Sequence, residues 1–342
     1  MQKSSKILVV GPSWVGDMVM AQSLFISLKN AMPSCQIDVL AAAWSFGLLE
    51  KMPQVNQALT MPLGHGQFGW SSRLKMGKQW QAEGYDQAIV LPNSWKSALI
   101  PFFAKIPLRT GYLGECRWGL LNDARKLDKD LLPMTVQRFV ALGQPKSERN
   151  LPACPLPQLQ VTERQQQTVI EKFALDLTRP VLALCPGAEY GIAKRWPVSY
   201  FTELAQRQLA EGWQVWLLGS VKDHAIAQEI KHNVDGLCYD FTQRTSLAEA
   251  VDLLSLVAAV VSNDSGLMHI AAALNKKLIA IYGSSDPKFT PPLNDRAQVV
   301  TSNVPCSPCF KRDCPLYTPG QKQYLQCLTE ISPTHVFDRL AN

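Results

Sequence analysis

The amino-acid sequence predicts an α/β protein with two doubly wound domains. Its 342 residues suit two domains at roughly 100–200 residues each. In both halves, short runs of Val, Ile and Leu alternate with segments of helical spacing, which is the pattern of parallel strands covered by helices on both faces. Prolines concentrate between residues 145 and 157, which is typical of a linker. We therefore predict domains at 1–165 and 166–342, with a cleft at the carboxyl ends of their sheets.

The predicted elements follow the same alternation in each half. We expect a loop over Gly11–Asp17, between the first strand and the first helix. The pattern weakens over 131–180, where we predict no helix. The predicted strands are 6–10, 36–42, 58–61, 87–91, 180–184, 214–218, 258–262 and 278–282. The predicted helices are 18–31, 44–51, 72–83, 94–104, 198–211, 222–233, 247–257 and 266–274.

Composition narrows the class of protein. Apolar residues form 46% of the chain and charged residues 18%, which argues against a disordered chain or a coiled coil. No apolar run approaches the roughly 18–20 residues that span a bilayer. The amino-terminal KILVV run is followed by a glycine and a proline, which favours a buried strand over a signal peptide. We therefore expect a soluble, cytoplasmic protein.

The net charge of +6 is unevenly distributed along the chain. Residues 1–150 contain 17 lysines and arginines against 10 aspartates and glutamates, whereas residues 151–342 contain 17 against 18. A basic half indicates an anionic partner: a nucleic acid, a membrane surface or an anionic substrate. The basic residues are dispersed and lack the interleaved aromatic residues of a nucleic-acid-binding module, so we expect no nucleic acid partner.

Asp17 is the first candidate for chemistry. Gly11 and Gly16 have the spacing of half a phosphate-binding P-loop, but Asp17 and Met18 stand where that motif requires Lys and Ser or Thr. A carboxylate at this point repels a polyphosphate, so we expect no nucleotide at this loop. Two interpretations of Asp17 stay open: it caps the helix, or it is a general base that points into the cleft.

The segment 263–269 follows a predicted buried strand and opens an alanine-rich helix. Its small polar residues, Asp264, Ser265 and Gly266, leave backbone N–H groups at the helix start, and these suit an anion. His269 falls in the first helical turn, within reach of the same anion. The alternative is a capped helix beside a packed histidine.

A basic pair lies in the loop after the first strand of the second half. Lys194 and Arg195 follow Glu189 and Tyr190 in this loop. Lys194 is a compact cation that suits a diphosphate, and the predicted sheet brings its loop to the same edge as Asp264. The alternative is a solvated surface pair.

Four cysteines cluster near the carboxyl terminus, at Cys306, Cys309, Cys314 and Cys327. A CxxC pair followed by two more cysteines permits a tetrahedral zinc site, although the spacing differs from that of paired CxxC knuckles. Zinc, a disulfide and reduced thiols all stay open, and the expected cytoplasmic location favours reduced thiols.

In combination, the segments GPSWVGDMVM, PGAEYGIAKRWP, SNDSGLMHIAAAL and IYGSSDP resemble those of the ADP-heptose:lipopolysaccharide heptosyltransferases. The CSPCFKRDCP stretch is most similar to the heptosyltransferase II branch of that family. The resemblance covers essentially the whole chain. It implies the GT-B fold, in which two Rossmann-like doubly wound domains face a central cleft. It also implies that the acceptor binds the N-terminal domain and the sugar nucleotide binds the C-terminal domain.

The resemblance further implies an inverting, metal-independent and cofactor-free glycosyltransferase of lipopolysaccharide core biosynthesis. Such an enzyme moves L-glycero-D-manno-heptose from ADP-heptose to the heptosyl-Kdo2-lipid A inner core. Its lipid-linked acceptor lies at the cytoplasmic face of the inner membrane, which implies peripheral membrane association. The alternatives are the first, Kdo-directed heptosyltransferase of the family, a sugar-nucleotide epimerase of GT-B fold, and a non-catalytic nucleotide- or RNA-binding protein with a zinc module.

The resemblance assigns roles to individual residues. Asp17 matches the catalytic base of the family. Lys194 matches a lysine that contacts the donor diphosphate, and Asp223 has the position of a ribose-binding residue. Some family members have small hydroxyl residues where this chain has Glu189 and Tyr190. The residues implied to bind the donor are Lys194, Asp264, Ser265, Gly266, His269, Glu189 and Tyr190.

Overall fold

The computed structural model describes residues 5–61, 63, 67–148 and 150–341. The chain divides into two compact units, Met1–Pro157 and Gln158–Asn342. Within the described residues, each unit contains one six-stranded parallel sheet with helices in the connections. The α/β prediction with two doubly wound sheets is confirmed.

The N-terminal unit is built around its first strand. Its strands are β1 Lys6–Val10, β2 Gln36–Ala41, β3 Gln57–Thr60, β4 Gln87–Val90, β5 Leu108–Tyr112 and β6 Asp123–Arg125. Its helices are α1 Val15–Ala31, α2 Phe46–Leu49, α3 Trp70–Gln79, α4 Leu99–Phe103 and α5 Thr135–Gly143. The strand order is β3-β2-β1-β4-β5-β6, so β1 pairs with β2 on one side and with β4 on the other. The carboxyl ends of β1 and β4 therefore border the topological switch point, where ligands bind in open α/β sheets.

The C-terminal unit repeats this topology. Its strands are β7 Val181–Cys185, β8 Gln214–Leu217, β9 Tyr239–Asp240, β10 Ala259–Asn263, β11 Lys277–Ile281 and β12 Ala297–Val300. Its helices are α6 Glu163–Phe173, α7 Val198–Ala210, α8 His224–His232, α9 Leu247–Leu256, α10 Gly266–Ala273, α11 Gln326–Thr329 and α12 Pro333–Ala341. The order β12-β11-β10-β7-β8-β9 puts the switch point between β7 and β10.

The central strands form the core of each unit. Their residues are apolar without alternation because helices cover both faces of a parallel sheet. Ile7, Leu8 and Val9 in β1 are completely buried, as are Leu182 and Leu184 in β7. Within the described ranges, no helix is both long enough and apolar enough to cross a membrane.

The predicted strands are confirmed to within one residue at each end, but four strands were not predicted. These strands are short or carry polar residues. Three of them are edge strands and the fourth, β5, lies next to an edge, where less apolar surface is buried: β5, β6, β9 and β12. No helix was predicted between 131 and 180, but α5 and α6 lie there, on either side of the proline-rich segment 145–157. Val136 and Val140 of α5 are buried, and a Cβ on Gly143 would lie 2.6 Å from Leu24 of α1. These contacts stabilise α5, a nine-residue helix whose sequence pattern is hard to recognise because prolines lie on both sides of it.

Candidate functional site

Two loops meet at the switch point of the C-terminal sheet. Lys194 lies in the loop that follows β7, and Asp264 directly follows β10. Lys194 Nζ is 2.5 Å from Asp264 Oδ2, and the side chains are 17% and 5% exposed. The structure therefore brings together the two loops that the sequence singled out. Lys194 keeps part of its surface open to solvent, where an anion can reach it.

A hydroxyl group that sequence reasoning missed holds the Asp264 carboxylate. Ser285 Oγ donates a hydrogen bond to Asp264 Oδ2 at 2.5 Å, and the backbone N–H of Asp264 donates to the carbonyl of Ile281 at 3.0 Å. With Lys194 and Ser285 as donors, the carboxylate charge is balanced inside the site. Asp264 is thus suited to orient Lys194. The signal for Ser285 was its place in the IYGSSDP segment after β11, the strand that pairs with β10.

Asn263 fixes the two loops relative to each other. Its Oδ1 accepts the backbone N–H of Trp196 at 3.0 Å, and its Nδ2 donates to the carbonyl of Pro186 at 2.7 Å. The side chain is completely buried. Pro186 and Trp196 stand at the two ends of the loop that carries Lys194. The Asn263 side chain hydrogen-bonds both of them, so it ties this loop to the last residue of β10.

The start of α10 completes a cationic edge in this unit. Gly266 is its first residue and Ser265 its N-cap, and the Ser265 side chain makes no capping hydrogen bond to the helix. The first N–H groups of a helix lack intrahelical acceptors and carry the positive end of the helix dipole. Together with the ammonium of Lys194, these groups form an arrangement that suits a phosphate or diphosphate.

His269 belongs to the first turns of α10 but is almost fully buried, with 5% of its surface exposed. Burial lowers its pKa to about 4, and this outweighs the opposing effect of the Asp264 carboxylate. The imidazole is therefore neutral near pH 7. Any contribution of His269 to an anion site comes from hydrogen bonding and packing, since the ring carries no charge there.

The lowered pKa of His269 makes a prediction about stability. The unfolded chain, with a histidine pKa of about 6.5, takes up this proton before the folded chain does as the pH falls. The stability contributed by the neutral ring is therefore complete above about pH 6.5 and is lost progressively towards pH 4. Between pH 7 and pH 5, wild type should lose about 2 kcal/mol more unfolding free energy than His269→Gln. Denaturant titrations of both proteins at both pH values measure this difference, and equal losses would contradict a neutral, buried His269.

Glu189 and Tyr190 have different surroundings. The Glu189 carboxylate pairs with Lys222, and both side chains are at least half exposed. The Tyr190 hydroxyl donates to the carbonyl of Phe310 at 2.8 Å, and the Tyr190 ring lies 5.1 Å from Lys194 Nζ. Of these two residues, Tyr190 is the one that contacts the Lys194 ammonium, through a cation–π interaction.

Asp223 lies against the backbone of the loop after β7. Its Oδ2 accepts hydrogen bonds from Ser220 N and Ser220 Oγ, both at 2.8 Å, and the residue is 7% exposed. A Cβ at Gly187 would lie 2.3 Å from the Asp223 carboxyl carbon, so only glycine fits there. The Asp223 carboxylate thus supports two loops at this edge. Its contact with a ribose hydroxyl stays a prediction.

Asp17 lies at the corresponding edge of the N-terminal sheet. The predicted loop over Gly11–Asp17 is too long, because α1 begins at Val15 and the Met18 N–H donates to the carbonyl of Trp14 at 2.9 Å. Trp14 is the N-cap, so Asp17 lies within the first helical turn and does not cap the helix. Its half-buried carboxyl group is placed after β1, at the switch point beside β4.

The C-terminal cysteines share one small pocket. All nine cysteines of the chain are free thiols, so the structure contains no disulfide among them. Burial and the three neighbouring thiols raise the pKa of Cys327 to about 11. Over the described ranges, no three His, Cys, Asp or Glu side chains are arranged to hold a metal ion. The preference for reduced thiols over zinc or a disulfide stays a prediction. The cysteines that line the pocket are Cys306, Cys309, Cys314 and Cys327.

Comparison with known proteins agrees with this geometry. The family model described as glycosyltransferase family 9 (heptosyltransferase) matches residues 73–318. Lipopolysaccharide heptosyltransferase 2 of Salmonella typhimurium is 47% identical over 98% of this chain and 97% of its own length. Lipooligosaccharide heptosyltransferase 2 of Haemophilus influenzae is 45% identical over 98% of both chains.

The solved structures agree as well. The structure of the ADP-heptose lipopolysaccharide heptosyltransferase II of Escherichia coli superimposes with a TM-score of 0.85 and 44% identity, over 98% of this chain and 97% of that chain. The family resemblance and the GT-B prediction are thereby confirmed. With one six-stranded parallel sheet in each unit and a match over nearly the full length, this chain belongs to glycosyltransferase family 9, the heptosyltransferases, and is a glycosyltransferase of GT-B fold.

Proposed function

We propose that this chain transfers L-glycero-D-manno-heptose from ADP-heptose to the heptosyl-Kdo2-lipid A inner core, with inversion at the anomeric carbon. The observation that carries the proposal is the cationic edge of the C-terminal unit, where Lys194 and the start of α10 meet at the switch point. Relatives that match nearly the whole chain are named for the second heptosyl transfer, which supports the choice of acceptor.

The donor diphosphate is assigned to that cationic edge. As the glycosidic bond breaks, negative charge grows on the leaving diphosphate oxygen, and Lys194 and the α10 N–H groups stabilise it. These groups supply positive charge from the protein itself, so we propose transfer without a metal ion. Tyr190, Asp264, Ser265, Gly266 and His269 are proposed to shape the donor site around Lys194, with Glu189 at its exposed rim.

The acceptor hydroxyl is assigned to the N-terminal unit, with Asp17 as its base. In an inverting transfer the hydroxyl oxygen attacks the anomeric carbon as the diphosphate departs from the opposite face. The hydroxyl proton becomes acidic as the new bond forms, and the Asp17 carboxylate accepts it. The acceptor is anionic and lipid-linked, in keeping with the excess of basic residues in 1–150. We propose that the protein acts peripherally at the cytoplasmic face of the inner membrane.

Mass spectrometry of the acceptor tests the function. After incubation with ADP-heptose, heptosyl-Kdo2-lipid A should gain the mass of one heptose, and Kdo2-lipid A should gain none. A gain on Kdo2-lipid A alone would instead identify the first heptosyltransferase. No gain on either acceptor, with conversion of the sugar nucleotide itself, would identify an epimerase.

A further inference from the structure

Five aromatic rings form a continuous surface cluster on the N-terminal unit. The Phe68 ring centroid lies 5.1 Å from that of Trp95 and 5.8 Å from that of Trp70. Trp70 then contacts Phe103 at 5.2 Å, and Phe103 contacts Phe102 at 5.7 Å. We call these residues the aromatic patch. Four of the rings have 38–48% of their surface exposed: Phe68, Trp70, Trp95 and Phe102. An exposed cluster of this kind marks an interaction surface.

A buried arginine and a close helix–helix contact support the aromatic patch. Arg73 is 5% exposed, and its guanidinium donates to the carbonyls of Phe68 at 2.7 Å and Lys96 at 3.0 Å. It thereby joins the segment before α3 to the segment before α4. A Cβ at Gly77 would lie 2.4 Å from Phe103 Cβ, so this glycine lets α3 pack closely against α4. These contacts hold together the two segments that carry the rings.

The charge around the aromatic patch is strongly positive. Residues 67–110 contain six lysines and arginines and two acidic residues. Of the two acids, Glu83 pairs with the ammonium of Lys6, and Asp86 accepts the backbone N–H of Lys6. A groove of Leu74 and the two phenylalanines is bordered by three cations, and the Arg109 guanidinium lies 5.6 Å from the Phe102 ring. The cations of the groove are Lys78, Lys105 and Arg109.

We propose that the aromatic patch and its basic border dock this enzyme on the anionic phospholipid surface of a bilayer. Tryptophan and phenylalanine insert their rings at the headgroup level, while lysine and arginine attract anionic lipids. The position supports a lipid surface, because Trp95 follows the carboxyl end of β4, at the sheet edge where Asp17 lies after β1. A lipid-linked acceptor would then be presented to that edge. The inference deepens the proposed function and rests on it only for this last step.

Vesicle sedimentation of the full-length protein tests the docking surface. Wild type should bind phosphatidylglycerol-containing vesicles and bind pure phosphatidylcholine vesicles more weakly. The double variant Trp70→Ser/Phe102→Ser should lower the affinity for both kinds of vesicle, anionic and neutral, by about tenfold or more. Lys78→Glu/Lys105→Glu should lower affinity about tenfold or more for the anionic vesicles alone. The matched controls are Trp118→Ser, at a ring that is 71% exposed outside the patch, and Lys126→Glu/Lys129→Glu on the same unit.

Several outcomes would overturn the docking surface. The first is unchanged vesicle affinity in both patch variants, and the second is an equal loss of vesicle affinity in the control variants. The third is self-association of the wild type that the patch variants abolish without any change in vesicle binding. Binding of single-stranded RNA that patch variants lose, with no effect on vesicles, would point to nucleic acid instead. Heptose transfer to a detergent-solubilised acceptor, measured in parallel, separates the two proposals. If wild type transfers no heptose but vesicle binding depends on the patch, the proposed function fails and the docking surface stands.

Discussion

Asp17→Asn is expected to lower heptose turnover by about 10²–10⁴-fold while the protein still folds and binds ADP-heptose. An amide cannot accept the proton that the acceptor hydroxyl releases as it attacks the anomeric carbon. Asparagine is close to aspartate in shape, so the first turn of α1 is retained. The loss of the favourable charge near the helix N-terminus costs only about 0.3–1 kcal/mol. The kinetic effect therefore greatly exceeds the effect on stability.

Steady-state turnover with the lipid acceptor, together with calorimetric binding of ADP-heptose and a thermal melt, measures these effects. Asp130→Asn is a matched control, because Asp130 is an exposed aspartate of the same unit. It should behave as wild type. Near-normal transfer by a folded, donor-binding Asp17→Asn protein would mean that Asp17 serves only the helix and that another group takes the proton.

Lys194→Ala should reduce turnover by about 10²–10³-fold and weaken ADP binding much less. The ammonium meets more negative charge on the departing diphosphate than on the bound donor, so it stabilises the transition state more than the ground state. Removal of Lys194 also takes away the ammonium that pairs with the nearly buried carboxylate of Asp264. Asp264→Asn should preserve ADP binding while it lowers turnover, because Lys194 loses the carboxylate that orients it.

We expect kcat and the Kd of ADP, measured for wild type and for each variant, to show whether Lys194 acts on the leaving diphosphate. Lys172→Ala is the control, since Lys172 is an exposed lysine of the same unit whose partner, Glu249, lies outside the proposed donor site. It should change neither quantity appreciably. Equal losses of turnover and ADP affinity in Lys194→Ala would show that Lys194 binds the ground state and the transition state alike, against its assignment to the leaving group.

The sequence predicted the switch-point loops well because a parallel sheet obeys a simple rule. Buried strands such as β7 and β10 have uninterrupted apolar residues, and their carboxyl ends meet at one edge. Lys194 and Asp264 were therefore expected to be neighbours, and they are in contact. Ser285 was missed because a serine after a strand has no distinctive pattern of its own.

Other features depend on packing between distant segments. The start of α1 was misplaced because Trp14 is a poor N-cap by residue type, yet its carbonyl accepts the first helical hydrogen bond. The aromatic patch was not predicted either. Phe68 and Trp70 precede the other three rings by 25 residues or more in the sequence, and the close packing of α3 on α4 brings the two groups together.

Each sheet is assembled from one uninterrupted stretch of chain, and this has a consequence for biosynthesis. The six strands of the first sheet run from Lys6 to Arg125, and α5, which packs on α1, ends at Gly143. A ribosome that adds about 5–20 residues per second completes this half many seconds before β12 emerges. The first sheet can thus close while the second is still being translated. Its apolar central strands are then already paired and buried before the similar strands of the second sheet are synthesised. The two sets of strands therefore have little opportunity to mispair.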